Sequence, residues 1–446
     1  MRVLMYGWEF PPHISGGLGV ACYELTRALV EQGHRVTFVL PRLKSSGDDG
    51  NGHVELVGIA QFLQGLEGET ELEKPGRDFL QNVDVAAVDS PLRPYLRDLE
   101  YREVVELLER TAGGRRGRGR PNGLDLVFSG DYGDGLIEEA LRYARVAGEV
   151  ARRVPHDVIH AHDWLTMLAG IEARRVGGRP LVVQAHALEF DRSGRNVNRA
   201  VYDIERAGMH CADKVIAVSH LTKRTIVERY GVPEDKVEVV HNAVSKRPRP
   251  AKAGDRARRR DKVVLFLGRI TFQKGPDYFV EAAARLLEHR DDVRFVMAGS
   301  GDMAPRMIER VAELRIGRRF HFTGFLTGVD VERMYLESDV YVMPSVSEPF
   351  GISPLEAMAH SVPVIISKQS GVSEILRHAL KVDFWDVDEL ANKIGALLDH
   401  TPLRDELSRR GSRELESIQW SKAARRLSDI YGRLSAGTAA SEGRAR

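Results

Sequence analysis

The stretch VYVMPSVSEPFGISPLE, residues 340–356, contains a short apolar strand, a loop with one carboxylate and the start of a helix. Residues 340–344 predict the strand, and residues 354–359 predict the helix. Ser353 suits the N-cap, Pro354 suits the first helical position, and Glu356 follows the cap by three residues, which predicts a capping box. A buried strand that leads through a loop into a helix is the building unit of a parallel α/β sheet.

The same unit recurs on both sides of this stretch, and the recurrence defines two series. The first series has predicted strands at 2–6, 35–40, 157–162 and 180–186, with a helix at 20–31. The second series has predicted strands at 263–269, 293–299, 320–325, 340–344 and 362–367, with helices at 277–288, 303–315, 329–336, 354–359 and 387–398. Two series of this kind predict an α/β protein with two Rossmann-like, doubly wound domains.

The change between the two series sets the predicted domain boundaries. We predict a first domain at 1–245, a basic linker at 246–261, a second domain at 262–417, a final helix at 418–435 and a flexible tail at 436–446. The linker contains Pro248 and Pro250 and four arginines at 256 and 258–260. This composition favours an exposed connection between domains. A nucleic-acid contact at the arginines is the less favoured alternative.

A second basic segment, the Gly/Arg-rich residues 111–123, lies inside the first domain. Its composition predicts a mobile loop. Four arginines could contact phosphate or RNA there: Arg115, Arg116, Arg118 and Arg120.

The composition of the 446 residues is that of an ordinary globular chain, with 43% hydrophobic and 29% charged residues. These values exclude wholesale disorder and fibrous repeats. Sixty-five basic residues nearly balance 64 acidic ones, so the chain lacks the global charge of a nucleic-acid coat. Only Cys22 and Cys211 are cysteines, which excludes a disulfide framework. The N-terminus lacks a signal-peptide pattern and no apolar run approaches about 20 residues, so we expect a cytoplasmic protein.

Glycines and cations mark two loops that suit a phosphate. Gly16 and Gly17 precede the first helix, where a helix N-terminus attracts anions, although a tight turn explains them equally well. Arg269 and Lys274 follow the first strand of the second series, and ligands of open α/β sheets bind at such strand ends. An arginine fork and a lysine point charge suit a diphosphate. A solvated basic loop is the alternative.

The loop of the opening stretch carries Glu348, which, unlike Glu356, has no capping role that would explain it. A carboxylate just before a helix start suits hydrogen bonds to sugar hydroxyls. The backbone N–H groups near Gly351 would face the same ligand.

Histidines mark the ends of two strands of the first series. The period of two places His160 and His162 on the same side of their strand, and His162 lies at its carboxyl end. His186 ends the next strand. A zinc site needs three or four ligands and the chain has no HExxH, so we expect no metal.

Taken in order, these segments resemble a family of enzymes, the family 4 glycosyltransferases of the GT-B architecture. The N-terminal phrase MYGWEFPPHISGGLGV is similar to that of the glycogen synthase branch. The resemblance covers nearly the whole chain and rests on the segments Gly16-Gly17, HAHDW at 160–164, HNAV at 241–244, Arg269 with Lys274, and Glu348 with Glu356.

The resemblance implies a role for each of these residues. Arg269 and Lys274 would bind the donor diphosphate, which Gly16 and Gly17 would also approach. Glu348 would hold the donor sugar, Glu356 the nucleotide ribose and His162 would lie near the sugar. The backbone of Phe350, Gly351 and Ile352 would contact sugar or phosphate.

It also implies a metal-independent, retaining transferase without a cofactor, whose active site lies in the cleft between two domains. The final helix, 418–435, would cross back to the first domain. The expected donor is a nucleotide diphosphate sugar, UDP- or ADP-glucose, and the expected acceptor is an α-glucan or another carbohydrate. Nucleic acid is not an expected partner. Two alternatives stay open, a non-catalytic sensor of sugar nucleotides and a transferase that uses a small-molecule or lipid-linked acceptor at a membrane surface.

Overall fold

The computed structural model describes residues 1–11, 17–41, 53–59, 136–194, 196–245 and 261–444. Three predicted features lie outside these residues: Gly16, the Gly/Arg-rich segment 111–123 and nearly all of the linker at 246–261.

The first sheet has seven strands in the order β3-β2-β1-β4-β5-β6-β7. The pairs β1/β2, β1/β4 and β2/β3 are parallel. All four strands predicted for this region form, within one or two residues of their expected ends, because each is a short apolar run bounded by turn residues. The strands are β1 Arg2–Tyr6, β2 Arg35–Leu40, β3 Glu55–Gly58, β4 Val158–His162, β5 Leu181–Ala185, β6 Lys214–Ala217 and β7 Val237–Val239.

Six described helices accompany this sheet in sequence. They are α1 Gly17–Glu31, α2 Leu136–Arg153, α3 Trp164–Gly177, α4 Glu189–Ser193, α5 Arg199–Cys211 and α6 His220–Tyr230. Helix α3 lies very close to β4, since a Cβ on Gly170 would come within 2.9 Å of the Ala161 side chain. Only glycine permits this approach.

The second sheet has six strands in the order β10-β9-β8-β11-β12-β13, and every neighbouring pair is parallel. The five strands predicted here all form. The strands are β8 Lys262–Leu267, β9 Val293–Ala298, β10 Phe320–Gly324, β11 Val340–Met343, β12 Val364–Ser367 and β13 Leu380–Val382.

Six described helices lie between β8 and residue 414. The first five form as predicted, with ends shifted by one or two residues, and the sixth was not predicted. The six helices are α7 Pro276–Leu287, α8 Ala304–Glu313, α9 Val329–Glu337, α10 Ser353–Ala359, α11 Val387–Asp399 and α12 Thr401–Glu414. Phenylalanines from sheet and helix share the core, and Phe279 lies edge-on to Phe295 with ring centroids 5.6 Å apart. Such pairs add to the stabilisation from buried area. The fold is therefore two Rossmann-like α/β domains, as predicted.

The last helix, α13, runs from Trp420 to Arg444. The expected flexible tail at 436–446 is thus helical as far as Arg444. Alanines at 436, 439 and 440 are strong helix formers within this segment. Near its middle, the hydroxyl of Tyr431 lies 2.6 Å from Nδ1 of His160.

By proximity of Cα atoms, the chain forms two compact units. Unit 1 comprises Met1–Val183, Arg199–Val215 and Tyr431–Arg446, and unit 2 comprises Gln184–Asn198 and Ile216–Ile430. These units do not coincide with the predicted ranges 1–245 and 262–417, since residues 184–198 and 216–245 belong to unit 2. Among the described helices, none combines the length and the apolar character needed to cross a membrane.

Candidate functional site

The Lys274 turn lies at the carboxyl end of β8. A short 3-10 turn, Phe272–Lys274, precedes α7, and Gly275 joins the two with a φ of 63°. A Cβ on Gly275 would lie 2.2 Å from the carbonyl oxygen of Pro344, which follows β11. Glycine is therefore required at position 275 for two reasons, the left-handed backbone and the close contact. This contact brings the ends of β8 and β11 together, as the sheet edge of an α/β fold predicts.

The ammonium group of Lys274 donates a hydrogen bond to Oε2 of Glu348 and forms an ion pair with it. The Glu348 side chain is only 8% exposed and the Lys274 side chain 20% exposed. The hydroxyl of Ser345 donates to the same carboxylate oxygen at 3.3 Å. Sequence reasoning did not reveal this partner of Glu348, because Lys274 lies on a loop 74 residues away in sequence.

The main chain holds the Glu348 loop from both sides. The carbonyl of Gln273 accepts from the N–H of Val346 at 2.9 Å. On the other side, Glu348 donates to the carbonyl of Gln369 at 3.0 Å and accepts from the N–H of Gly371 at 2.9 Å. Side-chain positions in this loop therefore rest on a network of backbone bonds, which preorganises the site.

The segment from Phe350 to Ile352 leads from this loop into α10. The carbonyl of Phe350 accepts from the N–H of Val372 at 2.8 Å. Gly351 has a φ of 98°, a conformation that residues with a Cβ rarely adopt. Ile352 is the N-cap residue of α10. These three predicted donor-contact residues thus lie directly beside Glu348 and at a helix N-terminus, where anions are favoured.

The predicted capping box at Ser353 and Glu356 does not form. Helix α10 begins at Ser353 itself, and no side-chain hydrogen bond caps it. The Ser353 hydroxyl instead accepts from the hydroxyl of Tyr341 at 2.8 Å, and Glu356 accepts from the hydroxyl of Tyr335 at 3.0 Å. Hydroxyl groups of two buried tyrosines therefore bind the two side chains that the capping box would have paired with backbone N–H groups.

Burial raises the pKa of Tyr341 well above its usual range, although the hydrogen bond to Ser353 opposes this effect. The phenol therefore stays protonated as a donor. It lies 3.3 Å from the carbonyl of Leu267, the last residue of β8. Tyr341 thus joins the end of β8 to the first turn of α10.

Arg269 lies on the same loop as Lys274 and is exposed. Its Nη2 donates to Oε1 of the buried Gln273 at 3.5 Å, a long contact. Unit 2 therefore brings together Arg269, Lys274, Glu348 and the segment from Phe350 to Ile352. Glu356 follows one helical turn later.

Sequence reasoning missed Asp191, on α4. The hydroxyl of Ser347 donates to Oδ1 of Asp191 at 2.6 Å, and the N–H of Leu188 donates to Oδ2 at 2.9 Å. Burial raises the pKa of the Asp191 carboxyl, while these hydrogen bonds and Arg192 oppose the rise. Asp191 comes shortly after β5, so the rule that ligands gather at strand ends could have found it.

His162 and Gly17 belong to unit 1. His162 is fully buried, and its ring stacks on that of His160 with centroids 4.2 Å apart, which agrees with the predicted shared face. Asp163, the next residue, has a φ of 59°, which is rare for a residue other than glycine. Such outliers cluster at functional sites. Gly17 begins α1, and a Cβ there would meet no atom within 4 Å.

Comparisons with known proteins agree with this architecture. Residues 249–414 match the family model described as Glycosyl transferases group 1, and residues 95–247 match the one described as Glycosyltransferase Family 4. The chain is 31% identical to a D-inositol 3-phosphate glycosyltransferase of Salinispora tropica, over 69% of this chain and 71% of the relative.

Two further similarities span almost the whole chain. Glycogen synthase of Mycobacterium tuberculosis is 26% identical, over 97% of this chain and 94% of the relative. The crystal structure of Anabaena HepE in complex with UDP-glucose superimposes with a TM-score of 0.66 at 16% identity, covering 97% of this chain and 100% of that chain. The second similarity concerns the fold, which is GT-B.

Proposed function

Because the chain belongs to the family 4 glycosyltransferases, which transfer sugars from nucleotide sugars, we propose that it is a retaining transferase acting on UDP-glucose or ADP-glucose. Its acceptor in this proposal is an α-glucan or another carbohydrate. The observation that carries the proposal is the Lys274–Glu348 pair at the carboxyl ends of β8 and β11.

The pair places one cation and one carboxylate on the sheet edge where α/β proteins bind ligands. A sugar diphosphate presents both complementary groups, a dianionic leaving group and sugar hydroxyls. Lys274 would turn from Glu348 to the diphosphate, and Glu348 would then accept hydrogen bonds from the sugar. The exposed guanidinium of Arg269 is accessible to the same diphosphate.

The transfer reaction requires positive charge near the leaving group. The bond between the anomeric carbon and the diphosphate oxygen breaks, and negative charge grows on that oxygen. Lys274, once turned to the diphosphate, and Arg269 would stabilise this charge, each contributing about 3–4 kcal/mol to the transition state. In this proposal they replace a metal ion. The acceptor hydroxyl attacks from the face that the diphosphate leaves, which retains the anomeric configuration.

The identity of the sugar and acceptor rests on two similarities. One relative that aligns over almost the whole chain is named glycogen synthase, and a structural neighbour was solved with UDP-glucose. These names support glucose as the sugar and a glucan as the acceptor.

A donor panel tests the proposal. UDP-, ADP- and GDP-sugars are each offered with glycogen, maltose or buffer, and nucleotide release is measured together with the anomeric signal of the product. We expect acceptor-dependent release from UDP- or ADP-glucose, an α-linked product and full activity in excess EDTA. Lys274→Ala should abolish release, whereas Lys393→Ala, which breaks a surface Lys–Glu pair in the same unit, should not. Loss of turnover in EDTA that one divalent ion restores would refute metal independence.

A small-molecule acceptor is the second candidate. The observation that favours it is the 31% identity to a D-inositol 3-phosphate glycosyltransferase. Adding inositol phosphates to the acceptor series distinguishes the two functions. Release that depends on an inositol phosphate and not on glucans would replace the glucan proposal.

A further inference from the structure

Three potential metal ligands lie together in unit 2, outside the donor site described above. They are His220, the first residue of α6, His241, which follows β7, and Glu374, the last residue of the turn Gly371–Glu374. One ligand atom from each lies within 4.8 Å of the other two. The residues are far apart in the chain, so sequence spacing does not reveal them.

The distances suit a small tetrahedral ion. Zinc binds nitrogen and oxygen ligands at about 2.0–2.2 Å, so two ligand atoms of one tetrahedral ion lie roughly 3.3–3.5 Å apart. Nε2 of His241 and Oε2 of Glu374 are 3.3 Å apart. The ring of His220 is exposed and offers a nitrogen within 4.8 Å of a ligand atom of each of the other two residues.

The carboxylate of Glu374 is already oriented by the main chain. The N–H of His220 donates to Oε2 at 2.8 Å, and the N–H of Leu221 donates to Oε1 at 2.6 Å. Ligating carboxylates in metalloproteins are held by outer hydrogen bonds in the same way.

We propose that His220, His241 and Glu374 form a binding site for a divalent transition metal, with zinc as the best match. Two imidazoles and one carboxylate are a known zinc ligand set, and three protein ligands leave a fourth position for water. Imidazole nitrogen excludes magnesium and calcium as preferred ions, since both favour oxygen.

An ion at this site would join three separate segments. The turn that ends at Glu374 is bonded through Gly371 and Val372 to the carbonyls of Glu348 and Phe350. The ion therefore anchors the main chain behind the donor loop to α6 and to the end of β7. None of its ligands is a candidate donor residue, so the chemistry proposed at the donor site does not use this ion.

Zinc binding itself is the test, and it does not depend on the proposed activity. The full chain, free of any histidine tag, is stripped with a chelator, desalted and titrated with zinc against a chromogenic chelator. We expect one zinc per chain and a higher melting temperature with zinc. His220→Ala and His241→Gln should each weaken binding at least about 100-fold. His289→Ala, at an exposed histidine elsewhere in the unit, should bind like the wild type.

Two results would overturn the proposal. One is a lack of stoichiometric binding to the wild-type chain. The other is binding that survives both His220→Ala and His241→Gln, which would locate the zinc elsewhere. Neither variant removes a buried side chain, and melting curves without zinc show whether each is folded.

Discussion

Replacing Glu348 by glutamine tests the site most directly, because it removes one charge and keeps the shape of the side chain. Breaking a fully buried ion pair by deleting one partner costs about 3–5 kcal/mol. Lys274 is 20% exposed and glutamine still offers an oxygen, so we expect a smaller cost of roughly 1–3 kcal/mol. At about 2–4 °C per kcal/mol, the melting temperature should fall by roughly 3–10 °C.

Turnover should fall as well. A hydrogen bond to a charged group contributes about 1.5–3 kcal/mol, so losing one to the donor sugar should lower the rate roughly 10- to 150-fold. Nucleotide release is measured well below the lower melting temperature, so that the variant is folded. Affinity for free UDP or ADP, which lack the sugar, should change little.

The control is Glu389→Gln, which breaks the more exposed pair with Lys393 in the same unit. Exposed pairs contribute about 0.2–1 kcal/mol, so its melting temperature should barely move. The double variant Lys274→Met with Glu348→Gln should recover much of the lost stability, because no charge remains unpaired. If Glu348→Gln has the same melting temperature and turnover as Glu389→Gln, the Lys274–Glu348 pair contributes neither to stability nor to catalysis. If it lowers only the melting temperature, Glu348 is structural and does not hold the sugar.

Three further substitutions probe the neighbours of this pair. Arg269→Ala should lower turnover about 100- to 1000-fold with little loss of stability, because Arg269 is exposed. If Arg269→Ala turns over as fast as the surface control Arg285→Ala, Arg269 is only a solvated loop residue. Glu356→Ala should weaken binding of free nucleotide diphosphate and lower the free energy of unfolding by about 1 kcal/mol, since the Tyr335 hydroxyl loses an acceptor. Tyr335→Phe should reproduce only the loss of stability. Burial raises the pKa of Asp191, so its contribution to stability is greatest below the ordinary aspartate pKa of about 3.9 and is lost as pH rises through the raised value. Asparagine resembles the protonated acid, so the melting temperature of Asp191→Asn should rise relative to that of the wild type as pH increases from about 4 to 7. A difference in melting temperature that does not change with pH would contradict this.

The sequence predicts nine of the thirteen described strands, because these are short apolar runs that end at glycine, proline or a charged residue; β3, β6, β7 and β13 were not predicted. Residues 35–40 and 2–6, for example, form β2 and β1 with no change of boundary. It also predicts which loops carry the candidate site, since the carboxyl ends of parallel strands form one edge. These inferences need only local pattern and one topological rule.

Contacts between distant residues are what the sequence does not predict. Asp191 and Ser347 are 156 residues apart, and Lys274 and Glu348 are 74 apart, so no periodicity links them. The capping box failed for a related reason. The motif is correct locally, but the buried hydroxyl of Tyr335 binds the Glu356 carboxylate, and tertiary contacts override a local preference.

The main chain, more than the side chains, determines where Lys274 and Glu348 lie. The carbonyl of Gln273, beside Lys274, accepts from the Glu348 loop, and the N–H of Gly371 supports that loop from the other side. Gly275 allows the two loops to meet, since a Cβ there would lie 2.2 Å from the Pro344 carbonyl. Conservative substitution of either charged side chain should therefore change the charge of the site and leave the loops in place. For this reason a loss of turnover in Glu348→Gln reports on chemistry and not on a displaced backbone.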